Sequence, residues 1–313
     1  ALKVWINGTF VDGDDAKISV FDAGFQHGVG LFETMIAKSG VVFKAAEHMS
    51  RLAESAATLR LTENLQVDPL VEALGLVLKE NDQKSARIRL TVTGGDLNLL
   101  QQTGNSGSGD LTIVIQTQPP TEYPPSFFEN GVVVSIASGR VNPYEIGAGH
   151  KTLNYWPSLL NLQLAAMKHC GESLLLTPSA LVVGGCVSNI FIINGGTLFT
   201  PVARGEEGGQ DEPSAVLPGI TRSAIIKLAD GLGIGTSQKS LTLDDVLVAD
   251  EAFLTNSSWG VLPVVGLLAS VLDEGNPAEQ AHPIGDKSVG PVSNQLILKY
   301  KDLLEQGTSG VSV

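Results

Sequence analysis

Four short segments of this chain carry residues whose types and spacing suit the holding of a phosphate beside an amine. Lys151 stands in His150-Lys151-Thr152-Leu153-Asn154-Tyr155-Trp156-Pro157, just ahead of a helix start, and offers a primary amine for a carbonyl. Arg51 lies in Glu47-His48-Met49-Ser50-Arg51-Leu52, and its planar fork can meet two phosphate oxygens at once where a lysine would give a point charge. In Leu217-Pro218-Gly219-Ile220-Thr221-Arg222 a glycine turn precedes a helix, so the N–H groups of Ile220 and Thr221 and the Thr221 hydroxyl can face an anion. Asn256-Ser257-Ser258 follows a strand and adds the Ser257 hydroxyl. Each segment alone is ordinary: a surface lysine, a helix arginine, a generic helix start, a serine-rich turn. The combination is not.

Together the segments resemble those of the class IV aminotransferases, the pyridoxal 5'-phosphate family that includes branched-chain and D-amino acid aminotransferases and aminodeoxychorismate lyases. The resemblance runs from about Trp5 to Pro263. It implies that Lys151 carries the cofactor and moves protons, that Tyr155 hydrogen-bonds the cofactor's ring oxygen, and that Arg51, Ile220, Thr221 and Ser257 bind its phosphate. In Phe21-Asp22-Ala23-Gly24-Phe25-Gln26-His27-Gly28-Val29-Gly30-Leu31-Phe32-Glu33-Thr34, similar to the family's glycine-rich turn and strand, Phe32 would line the substrate pocket and His27 would be structural, since Lys151 does the proton transfer. Gly94, in Thr93-Gly94-Gly95, stands where D-amino acid aminotransferases place an arginine for the substrate carboxylate, which disfavours that subclass. One position departs from the pattern. The family's Glu-Gly-x-x-x-Asn-aromatic motif puts a glutamate at the pyridine nitrogen, and here, counting back from Asn189 in Val183-Gly184-Gly185-Cys186-Val187-Ser188-Asn189, that position is Gly184. The acids closest in sequence are Glu172 upstream and Glu206 downstream.

Composition sets the frame for these residues. Three hundred and thirteen residues, 43% of them apolar, call for a globular chain of two domains. Twenty basic against thirty-three acidic side chains leave a net charge of −13, which repels nucleic acid and anionic membranes, so an anionic cofactor must be held by local donors. No apolar run reaches the roughly 20 residues of a membrane span, and no signal peptide is evident, so the cytoplasm is the expected compartment. Two cysteines, Cys170 and Cys186, are too few for a disulfide scaffold or a zinc site and are expected to be reduced.

Periodicity places the elements that must position the chemistry. Two short strands flank the Asn7-Gly8 turn, and apolar spacing predicts a helix over 45–61 with Met49, Leu52, Ala56 and Leu59 on one stripe and Arg51 off it. A second helix is expected over 67–78, an alternating strand over 86–93, and another over 111–116. Four prolines among residues 119–125 end both kinds of element and mark a linker. Beyond it come strands over 132–138, 173–176, 189–193, 197–200 and 252–255, a helix with Pro157 in its first turn and a helix over 221–229. A glycine- and glutamate-rich loop is expected over 204–213 and a frayed tail over 307–313. The fold class is therefore mixed α/β (α+β) with an N-terminal domain at 1–118, a linker at 119–130 and a larger domain at 131–313.

The resemblance makes this the two-domain class IV aminotransferase fold, with cofactor between the domains and the site completed by a second subunit of a homodimer. Transamination between an amino acid and a 2-keto acid, branched-chain-like, is the leading expectation. The alternatives are an aminodeoxychorismate lyase and, because of Gly184, a cofactor-binding protein with impaired catalysis.

Overall fold

The computed structural model describes residues 1–96, 111–208, 212–273 and 276–309; parts of the expected loop over 204–213 and tail over 307–313 lie outside these. The chain forms two compact units, one of Ala1–Thr121, His150–Asn154 and Leu304–Val313, the other of Glu122–Gly149 and Tyr155–Leu303. This differs from a division at a single linker, because the lysine segment and the chain's end count with the first unit.

The first unit holds β1 (Lys3–Ile6), β2 (Thr9–Asp12), α1 (Ala23–His27), β3 (Gly30–Lys38), β4 (Val41–Val42), α2 (Ala45–Thr58), α3 (Val67–Glu80), β5 (Ala86–Thr93) and β6 (Thr112–Gln118). Among the described residues its six strands pair in the order β2-β1-β6-β5-β3-β4. Asn7 and Gly8 both take positive φ, 46° and 91°, so the β1–β2 turn twists with its strands. On β5 the alternation is realised: Ala86, Ile88, Leu90 and Val92 are buried, while Arg87, Arg89 and Thr91 stand on the opposite face. The buried face joins Met35 of β3, Met49, Leu52 and Ala56 of α2, and Leu74 and Val77 of α3 in one core. Burying a large aliphatic side chain in such a core stabilises by about 1.5–3 kcal/mol relative to exposure, which is what fixes α2 and its polar residues against β3.

The second unit opens inside the proline-rich linker, where Pro125 starts α4 (Pro125–Glu129) at a position whose missing N–H costs no helical hydrogen bond. Then follow β7 (Val132–Ile136), α5 (Trp156–Met167), β8 (Glu172–Leu176), β9 (Val182–Gly185), β10 (Asn189–Asn194), β11 (Thr197–Thr200), α6 (Ile220–Gly231), β12 (Thr236–Gln238), α7 (Leu243–Leu247), β13 (Glu251–Asn256), β14 (Gly260–Asp273), β15 (Asn276–Pro283) and α8 (Pro291–Gly307). The last residues of α8 fall in the first unit. The sheet runs β12-β11-β10-β13-β14-β7-β8-β9, with β15 beside β14. Its core gathers Val134, Leu174, Ile190, Ile192, Leu254 and Val264. Cys170 and Cys186 are buried and free.

Candidate active site

In the first unit the lysine segment lies along β3 as an added edge. Phe32 N–H donates to the Lys151 carbonyl and Leu153 N–H to the Gly30 carbonyl, each at 3.0 Å, and Leu31 bridges Thr152. A side chain at Gly30 would have its Cβ 2.5 Å from the Val92 carbonyl and 2.7 Å from Leu153 Cδ1, so glycine is what lets β3 accept this edge. His150 is tied to α2 through Nδ1 and Ser55 Oγ, 3.0 Å apart. Lys151 is thereby held with Nζ 4.2 Å from the centroid of the buried Phe32 ring, and the Arg89 guanidinium carbon lies 3.8 Å from the same centroid.

Burial lowers the affinity of the Lys151 amine for a proton. Glu33 works against this, whereas Arg51, Arg89 and Arg87 add to it, and the pKa falls from 10.5 to about 7. Near neutral pH a large share of this amine is unprotonated and nucleophilic.

Arg51 departs from the sequence expectation. Although off the apolar stripe of α2, it is 9% exposed, and it meets a carboxylate. Its Nε donates to Glu33 Oε1 at 2.8 Å and its Nη2 to Oε2 at 2.6 Å. The Nε edge of the fork is thus taken by Glu33. His48, one turn earlier, places Nδ1 2.8 Å from Oε2 of the same carboxylate. Burial alone would raise the Glu33 pKa, but Arg51 and His48 outweigh it and hold it at about 2. Burial lowers the pKa of His48 despite Glu33, so the imidazole is neutral at pH 7 and its Nδ1–H donates to the carboxylate.

In the second unit the start of α6 is built as the sequence foresaw. Ile220 is its first residue, Gly219 its N-cap, and Thr221 is buried with Oγ1 3.4 Å from Tyr300 Oη. Gly219 is required here because its Cβ would lie 2.0 Å from Asn189 Oδ1. Asn189 in turn donates from Nδ2 to the Leu217 carbonyl at 2.9 Å, fixing the turn. Ser257 sits in the β13–β14 turn, where Asn256 Oδ1 accepts from Ser258 N and Trp259 N at 2.9 and 3.0 Å. The Tyr300 ring packs against Gly260, so one tyrosine touches the α6 start and the end of the serine turn. Tyr155 is half-buried at the N-cap of α5.

Gly184 proves to be more than a lost acid. It adopts φ +148° and its Cβ would stand 2.7 Å from the Ser188 carbonyl, so the backbone itself excludes a side chain. Glu172, thirteen residues away from Gly185 in sequence, lies against it on the neighbouring strand, with Cγ 2.7 Å from where a Gly185 Cβ would be. The separation in sequence concealed this carboxyl. It is fully buried and accepts from Ser173 N at 3.0 Å, Val187 N at 3.2 Å and Ser188 Oγ at 3.1 Å. Burial raises its pKa in spite of these donors. Glu206, the other nearest acid, is engaged by the buried Arg222 through two bonds of 2.9 and 2.7 Å.

Of the remaining expected residues, Gly94 is buried just after β5 and donates its N–H to the Val29 carbonyl, 3.1 Å away, and His27 is exposed at the end of α1. Glu33, His48 and Arg89 were not singled out by sequence. The alternation of β5 marks Arg89 as facing away from the core; nothing in the spacing pairs Glu33 with Arg51. Among the described residues no group of three or more His, Cys, Asp or Glu is placed to hold a metal, and no helix is long and apolar enough to cross a membrane.

A model of the amino-transferase class IV family matches residues 30–267. The chain belongs to that family. It is 35% identical over 305 residues to a putative branched-chain-amino-acid aminotransferase of Methanocaldococcus jannaschii, covering 96% of each chain. It is 28% identical to an aminodeoxychorismate lyase of Bacillus subtilis, covering 83% of this chain and 85% of that one. The crystal structure of Escherichia coli branched-chain amino acid aminotransferase superposes with a TM-score of 0.83 at 28% identity, covering 98% of this chain and 95% of the other. The branched-chain aminotransferase of the thermophilic archaeon Thermoproteus uzoniensis, solved with norvaline, gives a TM-score of 0.82 at 25% identity, covering 99% and 96%. The mixed α/β architecture is therefore that of the class IV aminotransferases.

Proposed function

We propose that this protein is a pyridoxal-phosphate-dependent aminotransferase acting between an amino acid, branched-chain-like, and a 2-keto acid. The observation that carries the reading is the amine of Lys151, desolvated to a pKa of about 7 against Phe32 and among arginines. The donor set suits the cofactor: an unprotonated amine for its aldehyde, and for its phosphate the Arg51 guanidinium, the N–H of Ile220 and Thr221 at the start of a 12-residue helix, and the hydroxyls of Thr221 and Ser257. When bound, pyridoxal phosphate condenses with amines and draws electrons from the carbon that bore them.

The chain's residues supply the rest. Lys151 Nζ would take the proton from the substrate Cα and hand it to the cofactor's aldehyde carbon, a role for which a pKa near 7 suits both uptake and release. Tyr155 orients the ring through its hydroxyl. Phe32 forms the apolar wall against which a branched side chain packs, and Arg89 beside it draws the substrate carboxylate. Gly184 leaves the pyridine nitrogen without the family's acid.

The similarity to the Bacillus subtilis lyase favours a second reading in which the lysine serves elimination from aminodeoxychorismate, and Gly184 favours a third. A chain that binds the cofactor but turns over slowly is the third. Absorption spectra recorded with a panel of amino donors and 2-oxo acids, and with aminodeoxychorismate alone, separate the three: transfer between donor and acceptor supports the first, pyruvate release the second, and an unchanging spectrum the last.

A homodimer fits α5, which has no charged residue and exposes Trp156, Leu159, Leu160 and Met167, giving two acidic chains a neutral face on which to meet. Sedimentation tests this. Two unpaired thiols accord with a cytoplasmic enzyme.

A further inference from the structure

The buried carboxylate of Glu33 has no part in the chemistry assigned above. It lies 1% exposed on β3 and is held from α2 by Arg51 Nε on Oε1 and by Arg51 Nη2 and His48 Nδ1 on Oε2. A carboxylate so engaged is a poor base, because both oxygens already accept charge-assisted or neutral donors at 2.6–2.8 Å. Its geometry instead serves the guanidinium. Arg51 hangs from a helix by three methylenes, and a side chain of that length gives up much rotamer freedom when fixed. Two parallel bonds from one planar group to one carboxylate remove rotation about the end of the side chain. His48 adds a third bond that keeps the carboxylate itself from turning.

We infer that Glu33 is a positioning residue for Arg51: it clamps one edge of the guanidinium so that the group is pre-set to recognise a phosphate monoester, and it thereby makes the protein select a phosphorylated cofactor over its unphosphorylated form. The inference rests on the reading of Lys151 and Arg51 as cofactor residues. It assigns to Glu33 no contact with cofactor or substrate.

Pyridoxal phosphate and pyridoxal share the aldehyde and ring and differ in the phosphate, so the dissociation constant of pyridoxal divided by that of pyridoxal phosphate isolates the phosphate's share. Both are titrated, by absorbance, into the full-length protein freed of cofactor, for the parent, Glu33→Asp and Glu33→Gln. Aspartate keeps the charge but falls one methylene short of the clamp. The ratio is expected to fall at least tenfold in Glu33→Asp, with pyridoxal binding within threefold of the parent. Equal weakening of both ligands, or an unchanged ratio, overturns the inference by making Glu33 merely structural. Glutamine keeps the length and loses the charge, and it decides the matter if the aspartate variant does not fold. A fall in the ratio supports positioning. A rise overturns it, since it would mean that Glu33 only offsets the arginine's charge. Failure of the parent to bind pyridoxal phosphate at all would instead remove the functional reading, whatever the variants do.

Discussion

Replacing Lys151 by methionine should stabilise the cofactor-free protein, and by an amount that depends on pH. The amine's pKa falls from 10.5 to about 7 on folding, a shift of about 3.5 units. At about 1.4 kcal/mol per unit this sets a ceiling of about 5 kcal/mol on what the folded state loses by holding the amine. Lys151 keeps some exposed surface, so solvent relaxation reduces this, and about 2–4 kcal/mol is expected. The sign follows from proton counts. Between pH 7 and 10.5 the unfolded chain holds a proton that the folded chain has released, so parent stability rises with pH across that window through this group. Below about pH 7 both states are protonated and the penalty is full; above 10.5 both are neutral and it is gone. Urea unfolding of parent and Lys151→Met, with cofactor removed, at pH 6, 7, 8, 9 and 10 gives the difference directly, provided the two share one m-value. Methionine's own packing shifts all points equally, so the slope is the readout. A difference that is flat between pH 7 and 10, or that grows with pH, would refute the desolvated amine.

Acid should act through Glu33 in the opposite sense: its pKa, held at about 2 rather than 4.5, adds stability present above pH 4.5 and lost as pH falls toward 2, and Glu33→Gln should flatten that limb in acid titrations followed by circular dichroism. Restoring the family's acid by Gly184→Glu should not raise the rate of a half-reaction. The Ser188 carbonyl and the positive φ stand in its way, so both Gly184→Glu and Gly184→Ala should lose about 1–3 kcal/mol in urea unfolding, and wild-type stability in either would show the strand to be more yielding than its geometry. Gly219→Ala should displace Asn189 and weaken pyridoxal phosphate binding, and an unaltered titration would take the α6 turn out of the phosphate site. Cys170 and Cys186 should resist iodoacetamide at pH 8 in the native protein and react in urea, because burial raises the pKa of both; mass spectrometry counts the adducts.

What the sequence disclosed and what it withheld divide along a physical line. Periodicity found β5, α2 and α3 because each buries one face, and turn chemistry found Asn7-Gly8 and the α6 start because the residue types there admit few other conformations. β9, with two glycines in four residues, carries almost no side-chain pattern and went unread. Pairings between side chains far apart in sequence were likewise invisible. Glu33 and Arg51 are 18 residues apart on a strand and a helix, each with a good reason of its own to be polar, and only the packing of α2 on β3 shows that they are one unit. The nearness of Glu172 to Gly185 was hidden for the same reason, since a β8–β9 register cannot be counted along the chain.

The edge that residues 150–154 add to β3 bears on how such a protein can be cut, copied or inherited. A fragment ending near Thr121 would lack the segment that covers the first part of β3, leaving the N–H of Phe32 and the carbonyl of Gly30 open to the next chain it meets. It would also lack the amine. A single crossover at the proline-rich stretch therefore pairs the β3 of one relative with the 150–154 segment, and its lysine, of another. An exchange that keeps the first unit whole carries residues 150–154 along with β3, so two separated stretches of the gene move as one.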